Sequence, residues 1–196
     1  VLRILTLCAI FAIYAASWDL LLCTGQLSLG HCAFLGMAAY GAALLNLNLG
    51  LPVPVSIGVG ALGGVVAGLL VCLPALRLRG MYFVIFTFGL SEFFRHIMIW
   101  YEINITGTAG RWIPSITPTT AYYYMLGIMV ITLFSAYIIR RSRFGLALQS
   151  IGQAEEASAH VGINVNMVKI LYFSLTCFFM GAAGSVMATQ AATSAA

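Results

Sequence analysis

The sequence predicts an all-α membrane protein, a polytopic bundle of about six transmembrane helices with a broken helix near residues 25–31. Of its 196 residues, 62% are hydrophobic and 7% are charged, whereas a water-soluble domain carries about 25% charged residues. The mean hydropathy is +1.02. Nine Lys or Arg and five Asp or Glu side chains are too few to cover a globular surface, so the lipid bilayer must cover most of it.

Six apolar runs mark the predicted helices, in chain order Leu2–Leu22, His31–Leu49, Val53–Ala75, Tyr82–Tyr101, Tyr122–Ile139 and Met167–Ala188. Each run is close to the about 17–25 residues that a helix needs to cross the hydrocarbon core. Helices are expected because lipid cannot satisfy unpaired backbone groups. We treat residues 1–196 as a single transmembrane domain and expect it to be incomplete at both ends.

Glycines recur at a spacing of four residues in the third run, at Gly60, Gly64 and Gly68, and the last run contains Gly181 and Gly184. Small residues at such positions let helix backbones approach closely in a membrane. We interpret both sets as packing surfaces, within this molecule or with a partner subunit, and not as sites of chemistry.

Two clusters of arginine set the predicted orientation. The segments Arg77–Gly80 and Arg140–Arg143 hold five of the nine basic residues, and the positive-inside rule places both in the cytoplasm. Two predicted spans separate the clusters, so the two assignments agree and place Val1 outside. Because the net charge of +4 comes from these clusters and not from one basic face, no nucleic-acid partner is expected.

The segment from Gly25 to His31 puts two glycines, an amide, a hydroxyl and an imidazole between two long apolar runs. One interpretation is a helix broken at membrane depth, because irregular backbone there survives only where protein or a water-filled path satisfies it, as in transporter substrate sites. The other interpretation is a plain turn between two helices. The composition of the segment leaves both open.

Three ionisable residues, Glu92, Arg95 and His96, share one helical face of the fourth run, since they are three and four residues apart. Charged groups within a span are costly and usually face the bundle interior or a pathway. A Glu–Arg pair that neutralises itself and fixes helix packing is the alternative. Both interpretations stay open at this point.

The connection between the fifth and sixth runs, residues 140–166, is far more polar than any other link. Apolar residues recur in it at spacings of four and three, at Phe144, Leu148 and Ile151. This pattern predicts short amphipathic helices on the cytoplasmic face. A helix resting on lipid is one explanation, but the adjacent Glu155 and Glu156 are acidic whereas anionic lipid favours cations, so a protein partner is favoured.

Enzyme motifs are missing from the sequence. Its one lysine, Lys169, follows Val168, so there is no GxxxxGK phosphate loop and nucleotide binding must belong to another subunit. Gly25 lies one position too far from Ser28 for a GxSxG elbow. An intramembrane hydrolase that uses Ser28 and His31 is an unsupported alternative. No catalytic residue and no metal ligand is assigned.

Three ordered segments resemble one family, the LivM-type permease subunits of ABC importers for branched-chain amino acids. The first, Gly25–His31 continuing to Tyr40, is similar to the family element GQLSLGHAAFFGIGAY. The second, Leu76–Gly80 continuing to Arg95, is similar to LRLRGDYFAIVTLGFxEIxR. The third runs from Ser142 to Asn164 and begins with the family's SRFG. The resemblance covers nearly the whole chain.

The resemblance implies a multi-pass permease of the bacterial inner (plasma) membrane that translocates branched-chain or other hydrophobic amino acids and is not itself an enzyme. It implies as partners a sister permease subunit, two cytoplasmic ATPase subunits and a periplasmic substrate-binding protein. This chain would bind no cofactor, because ATP and Mg would be held by the ATPases. Importers of urea or short amides share these motifs, and sugar permeases resemble the coupling stretch Gly162–Asn166, so the substrate stays open.

Two sets of site residues follow from the resemblance together with the polar features. We expect the substrate path to be lined by Gln26, Ser28, His31, Thr87 and Glu92. The segment Glu156–Ser158 with Gly162 resembles the EAA-x-x-x-G loop that binds the ATPase in ABC permeases. We therefore expect ATPase coupling within residues 140–166, at Arg143, Phe144, Glu155, Glu156, Ala157 and Gly162.

Overall fold

The computed structural model describes residues 2–49, 52–75, 78, 80–106 and 117–191, and every regular element within those ranges is helical. The elements in chain order are α1 Leu2–Leu22, α2 His31–Leu49, α3 Val53–Ala75, α4 Met81–Tyr101 with a following π-turn Glu102–Thr106, α5 Pro118–Arg141, α6 Arg143–Gln153, α7 Glu155–His160 and α8 Val165–Ala191. The all-α prediction is confirmed, and each of the six predicted runs forms a helix.

Two helices begin earlier than predicted because the flanking residues favour a helix start. Pro118 occupies the first turn of α5, where its missing N–H has no intrahelical partner to lose. Asn164 precedes α8, and its side-chain oxygen accepts a hydrogen bond of 3.2 Å from the backbone N–H of Met167. This is the N-cap arrangement, which satisfies one of the free donors in the first turn of a helix.

Five of the helices in the described ranges, α1, α3, α4, α5 and α8, are long and apolar enough to cross a membrane. Helix α2 contributes a further apolar stretch, His31–Leu44, among the residues whose side chains are described. The protein is therefore a multi-pass helical membrane bundle, as predicted. Arg77 and Arg79, which carry part of the orientation argument, lie outside the described residues.

Helix α8 forms the centre of the bundle and contacts α1, α2, α3 and α5. Two thirds of its apolar span is buried, against 11% for α4 and for α5. The largest fully buried side chains of α8 are Tyr172, Phe173 and Met180. Among the described helices, α4 packs mainly against α2 and weakly against α3, and most of its surface faces away from the rest of the chain.

The glycine ladder of α3 packs against α8. A Cβ atom at Gly64 would lie 2.6 Å from the carbonyl oxygen of Cys177 and 3.2 Å from the Cα of Gly181. A Cβ atom at Gly68 would lie 2.6 Å from the sulfur of Cys177. The prediction that the ladder serves helix packing is confirmed, and the packing lies within this molecule.

We predict that Gly64→Ala lowers the melting temperature of the protein in detergent. The new methyl group meets the backbone of α8, which cannot rotate aside, and overpacking of this kind typically costs about 1–3 kcal/mol. Gly63→Ala is the matched control, because a Cβ atom at Gly63 meets nothing within 4 Å. Equal melting temperatures for the two variants would contradict the assignment.

Candidate functional site

The segment between α1 and α2 is an irregular connection with one buried side. Helix α1 ends at Leu22, and Gly25 adopts a φ of +75°, a backbone conformation that residues other than glycine rarely adopt. From Thr24 onward, alternate residues are buried, namely Thr24, Gln26, Ser28 and Gly30, whereas Leu27 and Leu29 are exposed. One side of this break therefore lies against the protein interior. Its position at membrane depth stays a prediction.

Polar atoms of the break lack partners inside the described part of the protein. The Oε1 of Gln26, the hydroxyl of Ser28 and both ring nitrogens of His31 are buried there without a hydrogen bond from any described residue. The carbonyl oxygen of Ser28 accepts a hydrogen bond of 3.0 Å from Nε1 of Trp18. Such unsatisfied groups are rare in folded proteins, and they make this the least satisfied polar region of the described structure.

His31 lies in an aromatic environment. Its ring makes edge-to-face contacts with Phe34 at 6.0 Å and with Phe173 at 5.8 Å between ring centroids, and the side chain is fully buried. The first turn of α2 thereby packs directly onto the central helix α8. In the observed conformation His31 borders no open groove.

The C-terminal end of the break contacts α4 at Thr87. A Cβ atom at Gly30 would lie 2.6 Å from the carbonyl oxygen of Thr87, so the end of the break touches α4 directly. Thr87 lies six residues after the start of α4, which is about 9 Å along a helix. Thr87 is buried, and its hydroxyl donates to the carbonyl of Val84 at 3.0 Å. Four of the five predicted path residues thus lie buried together.

Glu92, the fifth predicted path residue, lies elsewhere, on a groove of about 460 Å³ between α2 and α4. Its carboxylate is 3.4 Å from the Nη1 of Arg95, and its backbone carbonyl bonds to the Nδ1 of His96 at 2.8 Å. These three side chains point away from the interior of this chain, since 43–75% of each is exposed. The groove is otherwise largely apolar, with Met37, Phe94, Met98 and Ile99 in its walls.

Helix α6 is amphipathic, as predicted, and Phe144 lies outside its buried face. Leu148 and Ile151 are buried, whereas Phe144 is 65% exposed, so the three apolar residues do not share one packed face. Gly145 takes the place of Phe144 on that face. A Cβ atom at Gly145 would lie 2.5 Å from the carbonyl oxygen of Ile139 and 2.7 Å from that of Arg140, so α6 folds tightly against the end of α5 and turns Phe144 outward.

Helix α7 ends in a Schellman motif that explains Gly162. The backbone N–H of Gly162 donates a hydrogen bond of 3.1 Å to the carbonyl oxygen of Ala159. The backbone N–H of Ile163 donates one of 3.2 Å to the carbonyl oxygen of Ser158. Gly162 has a φ of +92°, the left-handed conformation that this motif requires. Of the predicted coupling residues, Arg143, Phe144, Glu156, Ala157 and Gly162 are exposed, and Glu155 is the one that turns inward.

Two ion pairs that the sequence did not predict join the ends of the helices. The Nζ of Lys169 lies 2.8 Å from a carboxylate oxygen of Glu155, which connects α8 to α7. Arg140 pairs with Asp19, which connects the end of α5 to the end of α1. The sequence indicates that such pairs exist, because a lone lysine or aspartate in an apolar run usually has a charged partner. It does not indicate which residue that partner is.

The amphipathic helices also touch the break directly. A Cβ atom at Gly25 would lie 3.3 Å from the Cα of Gly152, and one at Gly152 would lie 2.5 Å from the carbonyl oxygen of Cys23. The C-terminal end of α6 is therefore in backbone contact with the break. Within the described ranges, no three His, Cys, Asp or Glu side chains come together as metal ligands would.

A multi-pass bundle with a buried polar break, and with amphipathic helices seated on that break, defines a membrane protein with the layout of a permease. A family model described as "Branched-chain amino acid transport system / permease component" matches residues 1–196. The chain belongs to this family, as its resemblance to LivM-type permeases predicted.

Individual permease proteins are also similar in sequence to this chain. The chain is 26% identical to the "High-affinity branched-chain amino acid transport system permease protein LivM" of Escherichia coli and 27% identical to that of Salmonella typhimurium. Each alignment covers 85% of this chain and 47% of the relative, so the chain spans about half the length of these proteins. It is 29% identical, over 67% of its length and 38% of the relative, to the "Autoinducer 2 import system permease protein LsrC" of Klebsiella pneumoniae. No solved structure matches the chain significantly.

We predict that Gly162→Ala loosens the end of α7. A left-handed conformation costs a residue with a Cβ atom about 1–2 kcal/mol, so the amide of Ile163 should exchange hydrogen roughly tenfold faster. Hydrogen exchange followed by mass spectrometry measures this change. Gly127→Ala is the control, since a Cβ atom at Gly127 meets nothing within 4 Å. Unchanged protection of Ile163 would rule out the role given to Gly162.

Proposed function

We propose that this chain is the membrane permease subunit of an ABC importer, and that it moves branched-chain or other hydrophobic amino acids across the bacterial inner membrane. ATP hydrolysis in two cytoplasmic ATPase subunits, which would hold ATP and Mg, supplies the energy. A sister permease subunit completes the path, and a periplasmic binding protein delivers the solute. The single observation that carries the choice of solute is the groove between α2 and α4.

The chemistry of the groove suits an amino-acid zwitterion. Glu92 offers a carboxylate to the ammonium group, and Arg95 offers a guanidinium group to the carboxylate, in the planar geometry that favours this pairing. Met37, Phe94 and Met98, which line the groove, offer apolar contacts to a hydrophobic side chain. A volume of about 460 Å³ lies within the range of small-molecule sites, which is about 300–1,000 Å³.

Glu92 and Arg95 hold each other only weakly, so a solute can separate them. Their closest atoms are 3.4 Å apart, with 43% and 68% of the two side chains exposed. Exposed pairs of this kind contribute about 0–1 kcal/mol. A zwitterion that replaces one weak ion pair by two charge-assisted contacts therefore gains binding energy, yet contact with the path stays transient.

The outward orientation of α4 supports a second subunit. A charged side chain facing lipid at the centre of a span costs about 2.5–3.5 kcal/mol, and α4 presents Glu92 and Arg95 away from this chain's own core. Water or protein must therefore meet this face. We infer that the sister permease subunit forms the opposite wall of the groove and that the solute passes between the two subunits.

The buried members of the predicted path, Gln26, Ser28, His31 and Thr87, act in a later state. The unsatisfied polar atoms of Gln26, Ser28 and His31 need partners that this conformation does not provide, and movement of the break away from α4 would bring these residues to the groove. Polar groups without hydrogen bonds destabilise the conformation that buries them. We propose that this imbalance lowers the barrier to opening.

The exposed face of α6 and α7 docks the ATPase. Phe144 supplies a large apolar side chain that projects from the surface, and aromatic residues of this kind often dominate binding energy at interfaces. Arg143 of α6 and Glu156 of α7 are exposed and carry charges of opposite sign, which would fix the orientation of the partner.

We predict that Glu92→Gln reduces ATP-dependent uptake of labelled leucine about tenfold or more, because the ammonium group loses its counter-ion. Uptake is measured in vesicles that contain the chain with its sister permease, ATPases and binding protein. Glu102→Gln, a carboxylate at the far end of α4, is the control and should transport normally. ATP-dependent uptake of urea or of a sugar, without leucine uptake, would overturn the proposed solute class and favour those permeases instead.

We predict that Glu156→Lys weakens binding of the ATPase to the permease by about tenfold, since it reverses a charge on the docking face. Copurification of the ATPase from detergent, at several salt concentrations, measures the change. Glu102→Lys reverses a charge at the opposite end of the bundle and should bind normally. ATPase binding by Glu156→Lys at the wild-type level would exclude this docking face.

A further inference from the structure

The junction between α6 and α7 makes two separate contacts, one with the break and one with α8. At the first, Gly152 is in backbone contact with Cys23 and Gly25, where no side chain fits. At the second, three residues after Gly152, Glu155 extends inward to Lys169 of α8. Because the first contact is steric and the second is electrostatic, movement of the junction can act on the break directly through Gly152 and on α8 through Lys169.

Lys169 is the chain's one lysine and is nearly inaccessible, with 6% of its side chain exposed against 35% for Glu155. A buried ammonium group needs a partner at all times, because water cannot reach it. Glu155 has no such requirement, since its carboxylate is partly solvated. If α7 moves outward, Glu155 can leave with the helix, but Lys169 must find another acceptor.

Such an acceptor belongs to a residue that borders the same small cavity. The cavity, of about 40 Å³, is lined by Gly25 and Gln26 of the break, by Leu78, Gly80 and Phe83, and by Glu155 and Lys169. The Oε1 of Gln26 is buried and has no hydrogen-bond donor among the described residues. A residue whose carboxamide oxygen lacks a donor and a lysine with a removable partner therefore line one cavity.

We propose that Lys169 is a positioning residue for transport: its ion pair with Glu155 holds α7 against α8 beside the break, and exchange of Lys169 from Glu155 to Gln26 couples movement of α7 to movement of the break. This inference rests on the proposed function, since it presumes that an ATPase moves α7. The proposal assigns the coupling between the ATPase and the substrate path to one side chain of α8. It also explains why Glu155 points inward while Glu156 stays exposed.

The test is Lys169→Met in the complete transporter, with ATP hydrolysis and solute uptake measured on the same vesicles. Methionine keeps the length of the side chain, and Glu155 stays solvated, so the fold should be retained. We expect uptake to fall about tenfold or more while ATPase binding and ATP hydrolysis stay within twofold of wild type. Lys169→Arg keeps the charge and should retain at least half of the uptake. Arg141→Met removes an exposed cation near the same end of the bundle and should have no effect.

A second measurement reports on the break itself. Leu27 is exposed within the break, so Leu27→Cys in a background without other cysteines can be labelled with a maleimide. We expect ATP to change the rate at which the maleimide labels Leu27→Cys when Lys169 is present. In the Lys169→Met variant, ATP should leave this rate unchanged. Glu155→Gln keeps a hydrogen-bond acceptor for Lys169 and serves as a second variant, with reduced uptake and retained hydrolysis expected.

The outcomes separate this inference from the proposed function. Normal uptake by Lys169→Met would overturn the role of Lys169 and leave the permease assignment standing. Loss of hydrolysis and uptake together, with a lower melting temperature, would show a merely structural ion pair and would also overturn it. Absence of ATP-dependent uptake by the wild-type transporter, for every solute tried, would instead overturn the proposed function.

Discussion

The close approach of α3 and α8 is the constraint on which the rest of the bundle depends. Two helices in lipid gain little from burying apolar side chains against each other, so their association depends on tight contact between backbones. Gly64 and Gly68 allow that contact at Cys177. Once α8 is fixed at the centre, its N-terminal turns place Lys169 beside the break, and Phe173 against the ring of His31.

A second constraint comes from the short connections at one end of the bundle. Gly145 lets α6 fold back onto the end of α5, Gly162 ends α7, and Gly152 lets α6 touch the break. Each contact involves backbone atoms, so none can be relieved by rotating a side chain. The C-terminal end of α6 is thereby held against the break, while the outer face of α6 and α7 stays exposed. This is the arrangement expected of an element that transmits movement.

Helix α4 contrasts with this rigid part. It packs lightly, carries charges on its outer face and forms one wall of the groove. A helix held by few contacts moves at little cost in free energy. The bundle thus combines a tightly packed centre around α8 with a loosely held helix, α4, that bears Glu92. The break lies between the two and contacts α4 where Gly30 meets Thr87. We assign solute contact to α4 on one side of the break and coupling to the ATPase to α6 and α7 on the other.

The sequence by itself determined the membrane class, the six helical runs, the break and the amphipathic connection, because hydropathy, glycine spacing and helical periodicity are local properties. It also selected a family through ordered motifs. Only the tertiary structure decided that Glu92 lies apart from Gln26, Ser28, His31 and Thr87, that Phe144 faces outward, and that Lys169 pairs with Glu155. These features depend on how helices distant in sequence rotate and pack against one another. Neither helical periodicity nor residue type fixes that rotation.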